Sequence, residues 1–459
     1  MFDLNKNRIT DIIGTVLLAI ALTITAFAYS GNGTSQDPYI IESYEDFCNI
    51  SVEINNGDTS LAASHIKLNA SIDFSDKDFL PIGTAENPFT GVFDGNGYSL
   101  NDIYYSAIAA SSGVFAYAQN AIIKNLSVVD AEFILDNNSN ENAYCGMICG
   151  SFVKTDTNDS VDMENCYTSG IITVTILSGN GYAGGIAGKI TSTVTGADIT
   201  AKNFRTDCDI TVKANEAYCG GFAGYAGAQK GSTNMEISCL YTSGMLNATS
   251  SNSNAYCGGM IGYLKAEESG WGEWMSEGDY VVLSEDSYAL SCSISLCEIS
   301  AKSSSGKVYT SYTVSQTEGG PVASKLYCIK TDSTTGGISG KKVSATAVKS
   351  SSYMSGTVGF DMKNVWTMNG GLNLIRKNTL CGTVLSDEKT VHVRVNGYMP
   401  GNVFIVAYDT DGRIIKAKIH TVTDADSDIS TDLSVIPAKI SVFAFKNTIS
   451  PICESKDIK

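Results

Sequence analysis

Apolar residues in this chain fall in clusters of two to five, bounded by Gly, Asn, Ser or Asp, and no window sustains them at helical spacing. The pattern predicts short strands joined by tight turns. One cluster recurs: AYCGG stands at 217–221 and 255–259, with near-copies AYCGMICG at 143–150 and GYAGGIAG at 181–188. Aligned on Tyr144, Tyr182, Tyr218 and Tyr256, the copies are 38, 36 and 38 residues apart. A second segment follows each, as in NCYTSGIITV from Asn165 and SCLYTSGMLNA from Ser238. Self-similarity at a fixed period predicts a solenoid. With roughly 18–24 residues to a parallel β-helix coil, each unit is read as two coils, one on GGxxG and one on CYTSG. Residues 89–345 would then make on the order of a dozen coils, a rod roughly 60 Å long at about 4.8 Å per coil.

The repeat carries most of the chain's conspicuous residues. Cys145, Cys219 and Cys257, with Ala183 substituting once, should share an interior column in which small side chains interchange. Two coils per unit would separate neighbours by nearly 10 Å, beyond the roughly 7 Å limit for a disulfide, so these are expected to be free thiols. Zinc is the sharper alternative, but the chain has 3 His (His65, His392, His420) and no CxxC. Gly184–Gly185, Gly220–Gly221 and Gly258–Gly259 fit positive φ or close coil-to-coil approach at a corner.

Charge and the N-terminus narrow the class. With 48 acidic against 31 basic residues the net charge is −17, which repels phosphate backbones and disfavours nucleic acid. Lys6 and Arg8 precede an uncharged apolar run from Ile12 to Ala28 that ends in Ala26-Phe27-Ala28, the layout of a secretory signal peptide over 1–30. The run is also about the length of a minimal membrane span, so an uncleaved signal anchor is the alternative. Either way the rest of the chain is expected outside the cytoplasm, extracellular or at the cell surface, with no other membrane insertion.

The stretch before the repeats reads PYIIESYEDFCNIS, then PIGTAENPFTGVFDGNG from Pro81 to Gly97, then GVFAY at Gly113. With the GG-[IFM]-[AI]-G units at 184, 220 and 258, it resembles exported bacterial surface β-helix proteins of the GLUG-motif type. GTVGFDMKNVWTMNGGLNLIRKN (356–378) is similar to the closing coil of such rods, although Gly371-Leu372-Asn373-Leu374 stands where an aromatic-Pro-x-Leu is usual. The resemblance covers roughly 36–378. It implies a right-handed parallel β-helix and, for activity, an adhesin-like or surface-binding role. From Thr379 the pattern becomes clean alternation: KTVHVRVNG, NVFIVAYDTDGRIIKAKIHTV around a DTDG turn, and AKISVFAFKN. That reads as a small Ig-like β-sandwich placed to cover the open end of the rod. The expected organisation is a leader at 1–30, an entry segment at 31–88, the β-helix at 89–378 and the sandwich at 379–459, all-β throughout.

Catalysis is the competing reading, since parallel β-helices also carry polysaccharide lyases and hydrolases. A lyase of that kind needs an Arg base, and 31–375 holds one, Arg205. A hydrolase needs clustered carboxylates; Asp73, Asp76, Asp78 and Asp94 are the candidates, but Asp94 lies in a DGNG turn and DFSDKD in the entry segment. Asp76 and Asp78 are also the calcium candidates, though their spacing is not a complete loop motif. His65, in SHIKLNAS, reads as structural. No cofactor is implied. The strongest binding candidate is the insertion KAEESGWGEWMSEGDY, in which Trp271 and Trp274 stand among Glu267, Glu268, Glu273, Glu277 and Asp279. Indoles can stack on a sugar face while carboxylates accept from its hydroxyls. The alternative is that they merely cover a flank of the rod. The sequence therefore points to an exported, non-catalytic module that binds a glycan or a surface protein, with a carbohydrate-active enzyme as the alternative.

Overall fold

The strands of one repeat pair directly with those of the next. In the computed structural model, Ala143–Gly146, Gly181–Gly184, Ala217–Gly220, Ala255–Gly258 and Val308–Ser311 are parallel neighbours, with Tyr144 opposite Tyr182, Tyr182 opposite Tyr218, Tyr218 opposite Tyr256 and Tyr256 opposite Tyr309. The repeat is therefore one coil, and the two-coil reading is wrong. The reason lies in strand length. The CYTSG segment is not a separate turn of chain but the middle of a long strand: Met163–Ile176 in one coil and Ile199–Ala214 in the next.

The structure describes residues 30–459 except 138–139, 159–160, 195–196, 229–234, 266–289, 319–322, 331–336, 369–371, 375–378, 385–387, 399–400, 423–424, 447–449, 452–455 and 458–459. The leader at 1–29 and the insertion with Trp271, Trp274, Glu273 and Glu277 lie outside the described residues. What is described is a parallel β-helix of three faces followed by antiparallel sheets. The long face begins with Tyr39–Ile41 paired to His65–Leu68 and ends with Ala323–Cys328 paired to Lys341–Lys342. The tyrosine face and the third face each stack six strands and the path along the long face ten, so at about 4.8 Å per coil they run about 24 Å and about 43 Å, short of the rod of a dozen coils. Coils continue regularly past Leu264: Leu290–Ser295, Val308–Ser311 and Val314–Glu318 make a full turn despite their divergent sequence.

The long strands bend where one residue per coil takes positive φ. Asn125, Asn165, Asn203, Cys239, Cys292 and Lys325 occupy that column, with φ between 50° and 64°. Asn tolerates this region best among side-chain-bearing residues, which accounts for the first three. Their amides also form a ladder. Asn203 donates to Asn165 at 3.0 Å, Asn165 to Asn125 at 3.1 Å, and Asn125 to the Asp94 carboxylate at 2.9 Å. Among the described residues the one sustained helix is Tyr44–Asn55, which the apolar pattern did not predict although its signals are local. Ser43 and Asp46 form a capping box, and Phe47, Ile50 and Ile54 pack inward against the first rungs, Phe47 meeting Phe74 edge to face at 5.3 Å.

After the last coil the chain does not close the rod. Residues 343–368 and 372–374 run along the outside of the long face, burying Val348, Met354, Val358, Phe360, Trp366 and Leu374 against Tyr327, Ile294 and Tyr167. Trp366 stacks on Phe360 at 4.6 Å and pairs, antiparallel, opposite Leu374. The described part of the expected closing coil at 356–378 is instead a strap, because the outward side chains of the long face are themselves apolar here and need cover. Arg205 fastens it. The guanidinium lies between the rings of Tyr167 and Tyr241 at 5.3 and 5.5 Å, pairs with Asp207, and donates to the Leu372 carbonyl at 2.8 Å and to the Asn373 side chain.

The strap delivers the C-terminal strands back to the early coils. Thr379–Val384, Thr390–Tyr398 and Ala425–Asp432 form one antiparallel sheet, and Gly401–Tyr408, Ile414–Val422 and Lys439–Lys446 the core of a second. Val391, Val393, Ile405, Ile440 and Val442 fill the space between them. Arg394 docks this sandwich on the rod: it bonds Asp428 in its own sheet at 2.7 and 2.8 Å and reaches Asp102 and Asp130 at 3.1 and 3.0 Å. The sandwich thus sits on the flank rather than over the open end. Replacing Arg394 with Met should leave the rod folded but loosen the sandwich from it, read in limited proteolysis as earlier release of a C-terminal fragment.

Close coil spacing makes the glycine pairs obligatory. A Cβ on Gly185 would lie 2.3 Å from the Gly221 carbonyl oxygen, and one on Gly221 2.3 Å from that of Gly259. Neither glycine has positive φ, so close approach is the operative reason. Gly221→Val should lower stability by about 3 kcal/mol, whereas Gly356→Ala, with open space around it, should change it by less than about 0.5 kcal/mol. Thermal unfolding followed by circular dichroism separates the two.

Candidate binding face

Alternation within AYCG sends Ala and Cys inward and Tyr outward. Cys145, Ala183, Cys219 and Cys257 are fully buried and share a column with Ser112 and Thr310. The column is interior, as expected, but its members are one coil apart, so distance does not keep Cys219 from Cys257. Burial does: removal from water pushes the Cys145 and Cys219 thiols up, out of reach of the thiolate form that exchange requires. The described cysteines are all free thiols.

The tyrosines line the corner next to the third face, where Tyr218 and Tyr256 are buried, 9% and 6% exposed, and Tyr144, Tyr182 and Tyr309 stay partly exposed. Tyr144, Tyr182, Tyr218, Tyr256 and Tyr309 stack ring on ring, with centroids 5.0, 4.4, 4.7 and 4.9 Å apart. Unit-cell-like repetition follows from the register, since in-register parallel coils place identical side chains at a spacing close to that of stacked rings. Tyr225 and Tyr263 come from the third face, stacked on each other at 5.7 Å. They meet the first ladder edge to face, Tyr263 lying 5.2 Å from Tyr256 and 6.0 Å from Tyr218. Two outer surfaces can touch only because the corner between them is bare. A Cβ on Gly188 would fall 2.4 Å from the Cys145 backbone nitrogen, and one on Gly224 2.7 Å from that of Ala183.

The result is a re-entrant aromatic seam along the rod with a polar rim. Residues two positions before each Tyr supply that rim. Asn142 donates to the Tyr144 hydroxyl at 3.4 Å, Asn254 to that of Tyr256 at 3.0 Å, and the Tyr218 hydroxyl donates to Glu216 at 2.7 Å. Desolvation pushes the Tyr182 and Tyr256 hydroxyls up to about 12, so both remain neutral donors at physiological pH. Lys189 places its ammonium 5.3 Å from the Tyr144 ring and 5.8 Å from that of Tyr225, where the ladder gives way to the small Ser111 and Ser151. Aromatic edges, amides, a carboxylate and an ammonium suit a hydroxyl-rich or amide-rich chain. Sequence reading passed over these tyrosines as period markers. Their outward direction was legible from the alternation with Cys.

The other candidates are not brought together. Asp73 accepts from the backbone and hydroxyl of Ser75 at 2.9 and 2.6 Å, and Asp76 holds a left-handed turn at φ 55°. The Asp78 carbonyl accepts from the Tyr44 hydroxyl at 2.8 Å. Asp94 anchors the asparagine ladder. His65 sits in a strand opposite Val92. Among the described residues no group of three or more His, Cys, Asp or Glu is arranged to hold a metal ion.

One solved structure supports the architecture. No family model matches the chain. The crystal structure of "a putative immunoglobulin A1 protease" from Bacteroides ovatus is similar over 75% of this chain and 94% of its own, with a TM-score of 0.50 and 18% identity, a likeness of fold alone. Halomucin of Haloquadratum walsbyi is 24% identical over 187 residues, 37% of this chain and 2% of that protein. A "Putative Gly-rich membrane protein" of Evansella cellulosilytica is 29% identical over 100 residues, 21% of this chain and 12% of its own. The chain thus spans only a small fraction of the length of either relative. Among the described residues no helix is long and apolar enough to cross a membrane.

The interior column makes a chemical prediction. Alkylation of the native protein should leave Cys145, Cys219 and Cys257 unmodified even at pH 9, because all three are sealed in the core and burial raises the Cys145 and Cys219 thiols further out of reach, and denaturation should expose all three. Peptide mapping after iodoacetamide reads the outcome.

Proposed function

We propose that the protein is an exported surface rod of the GLUG type that binds a glycan or a surface protein without catalysis. The observation that carries this reading is the tyrosine seam, stacked over five coils, in which the partly exposed Tyr144, Tyr182 and Tyr309 and a hydrogen-bonding rim border the buried Tyr218 and Tyr256. The exposed rings and the rim offer several contacts to an extended ligand, and weak contacts in series multiply when they lie on one rigid support. The strand Ile261–Lys265, which carries Tyr263 into the seam, leads into the segment that holds Trp271, Trp274, Glu273 and Glu277. Those four residues are the proposed ligand contacts at that end. A non-catalytic role is supported by the occupation of Arg205 in the strap and of Asp73 and Asp94 in local turns. The leader-like N-terminus supports placement outside the cytoplasm.

A glycan array probed with the secreted chain tests the reading. Replacing both Trp271 and Trp274 with Ala should reduce binding to any positive glycan at least tenfold with an unchanged circular dichroism spectrum. Undiminished binding by that double variant would remove the tryptophans from the site. An array without any positive spot, together with no binding to bacterial or host cell surfaces, would overturn the proposed function.

A further inference from the structure

The column of bent residues on the long face changes chemistry partway along. Asn125, Asn165 and Asn203 are followed by Cys239, Cys292 and Lys325 on successive coils, all with positive φ. Ser238 pairs with Ser291 and Tyr241 with Ile294, so Cys239 stands directly opposite Cys292; Ser291 pairs with Ser324, which sets Lys325 opposite Cys292 on its other side. Neighbouring coils are about 4.8 Å apart, inside the roughly 4.4–6.8 Å window for the Cα atoms of a disulfide. Cys219 and Cys257 share this spacing but are sealed in the core, whereas Cys239 and Cys292 are both partly exposed.

We propose that Cys239 and Cys292 form a redox-active dithiol that exchanges with small disulfides and closes into a bond between adjacent coils. Cys292 is the attacking thiol. A hydrogen bond from Cys239, helped by the Lys325 ammonium, pulls Cys292 down to about 6, with Glu236 opposing. Lys202 and Glu236 are the charges that act on Cys239. Gly359 of the strap backs the pair: a Cβ there would lie 3.0 Å from the Cys292 sulfur and 3.9 Å from Lys325 Nζ, so a side chain would crowd both.

The Cys292 thiolate attacks one sulfur of a small disulfide RSSR, forming a mixed disulfide and releasing RS⁻. Cys239 then loses its proton, attacks the Cys292 sulfur and expels the second RS⁻. Two thiols are oxidised and RSSR is reduced to two RSH, which take up both protons. The closed bond would tie Met235–Ser243 to Leu290–Ser295, the equivalent strands of two adjacent coils.

The reduced full-length protein is treated with oxidised glutathione, alkylated and peptide-mapped. The expected result is a Cys239–Cys292 cross-link lighter by two hydrogen atoms, with Cys219 and Cys257 still thiols. Cys239→Ser should trap glutathione on Cys292, Cys292→Ser should leave Cys239 largely unmodified, and Lys325→Met should slow the trapping severalfold. Glutathione retained on either cysteine of the unsubstituted protein without a cross-link would overturn the proposal, as would complete inertness of both thiols or a link confined to Cys219 and Cys257.

Discussion

In-register hydrogen bonding between successive parallel coils is the constraint on which the rest of this structure depends. It places each residue directly above its counterpart one repeat earlier, at the spacing of neighbouring strands. One coil's choice at a position is thereby imposed on the next. Tyr must stack on Tyr, Asn must meet the amide of Asn, and a glycine that clears one carbonyl must be followed by another that does the same. The tyrosine seam, the asparagine ladder and the cysteine pairs are all consequences of that single register.

The second determinant is the outer surface of the long face. Tyr167, Tyr241, Ile294 and Tyr327 project outward and are too apolar to be left to water. The strap covers them, and Arg205 aligns it by combining two ring faces, a carboxylate and two acceptors in one side chain. An Arg buried this way is engaged in holding the strap. By running back along the rod, the strap also decides where the C-terminal sandwich lands, against Asp102 and Asp130.

The repeat, the parallel β-helix and the alternating C-terminal strands were legible because they depend on periodicity, which is a local property of the chain. The coil count was not. A cluster of apolar residues looks the same whether it ends a turn of chain or continues through a bend, and Asn165 and Asn203 sit at bends. The helix Tyr44–Asn55 was legible and was overlooked: Ser43 with Asp46 and the inward spacing of Phe47, Ile50 and Ile54 are its local signature.

The candidate surface divides in the same way. Outward tyrosines and inward cysteines follow from strand alternation, and so the sequence alone determined which side of each strand a side chain takes, while the tertiary structure decided that Tyr218 and Tyr256 are buried. The sequence could not reveal that the tyrosine face and the third face fold toward each other across Gly188 and Gly224, nor that Cys239 and Cys292 are neighbours across 266–289. Those relations join residues distant in the chain, and they exist only once backbone hydrogen bonds between coils have set the register. Pattern determines the identity of each face; pairing between coils decides what each face meets.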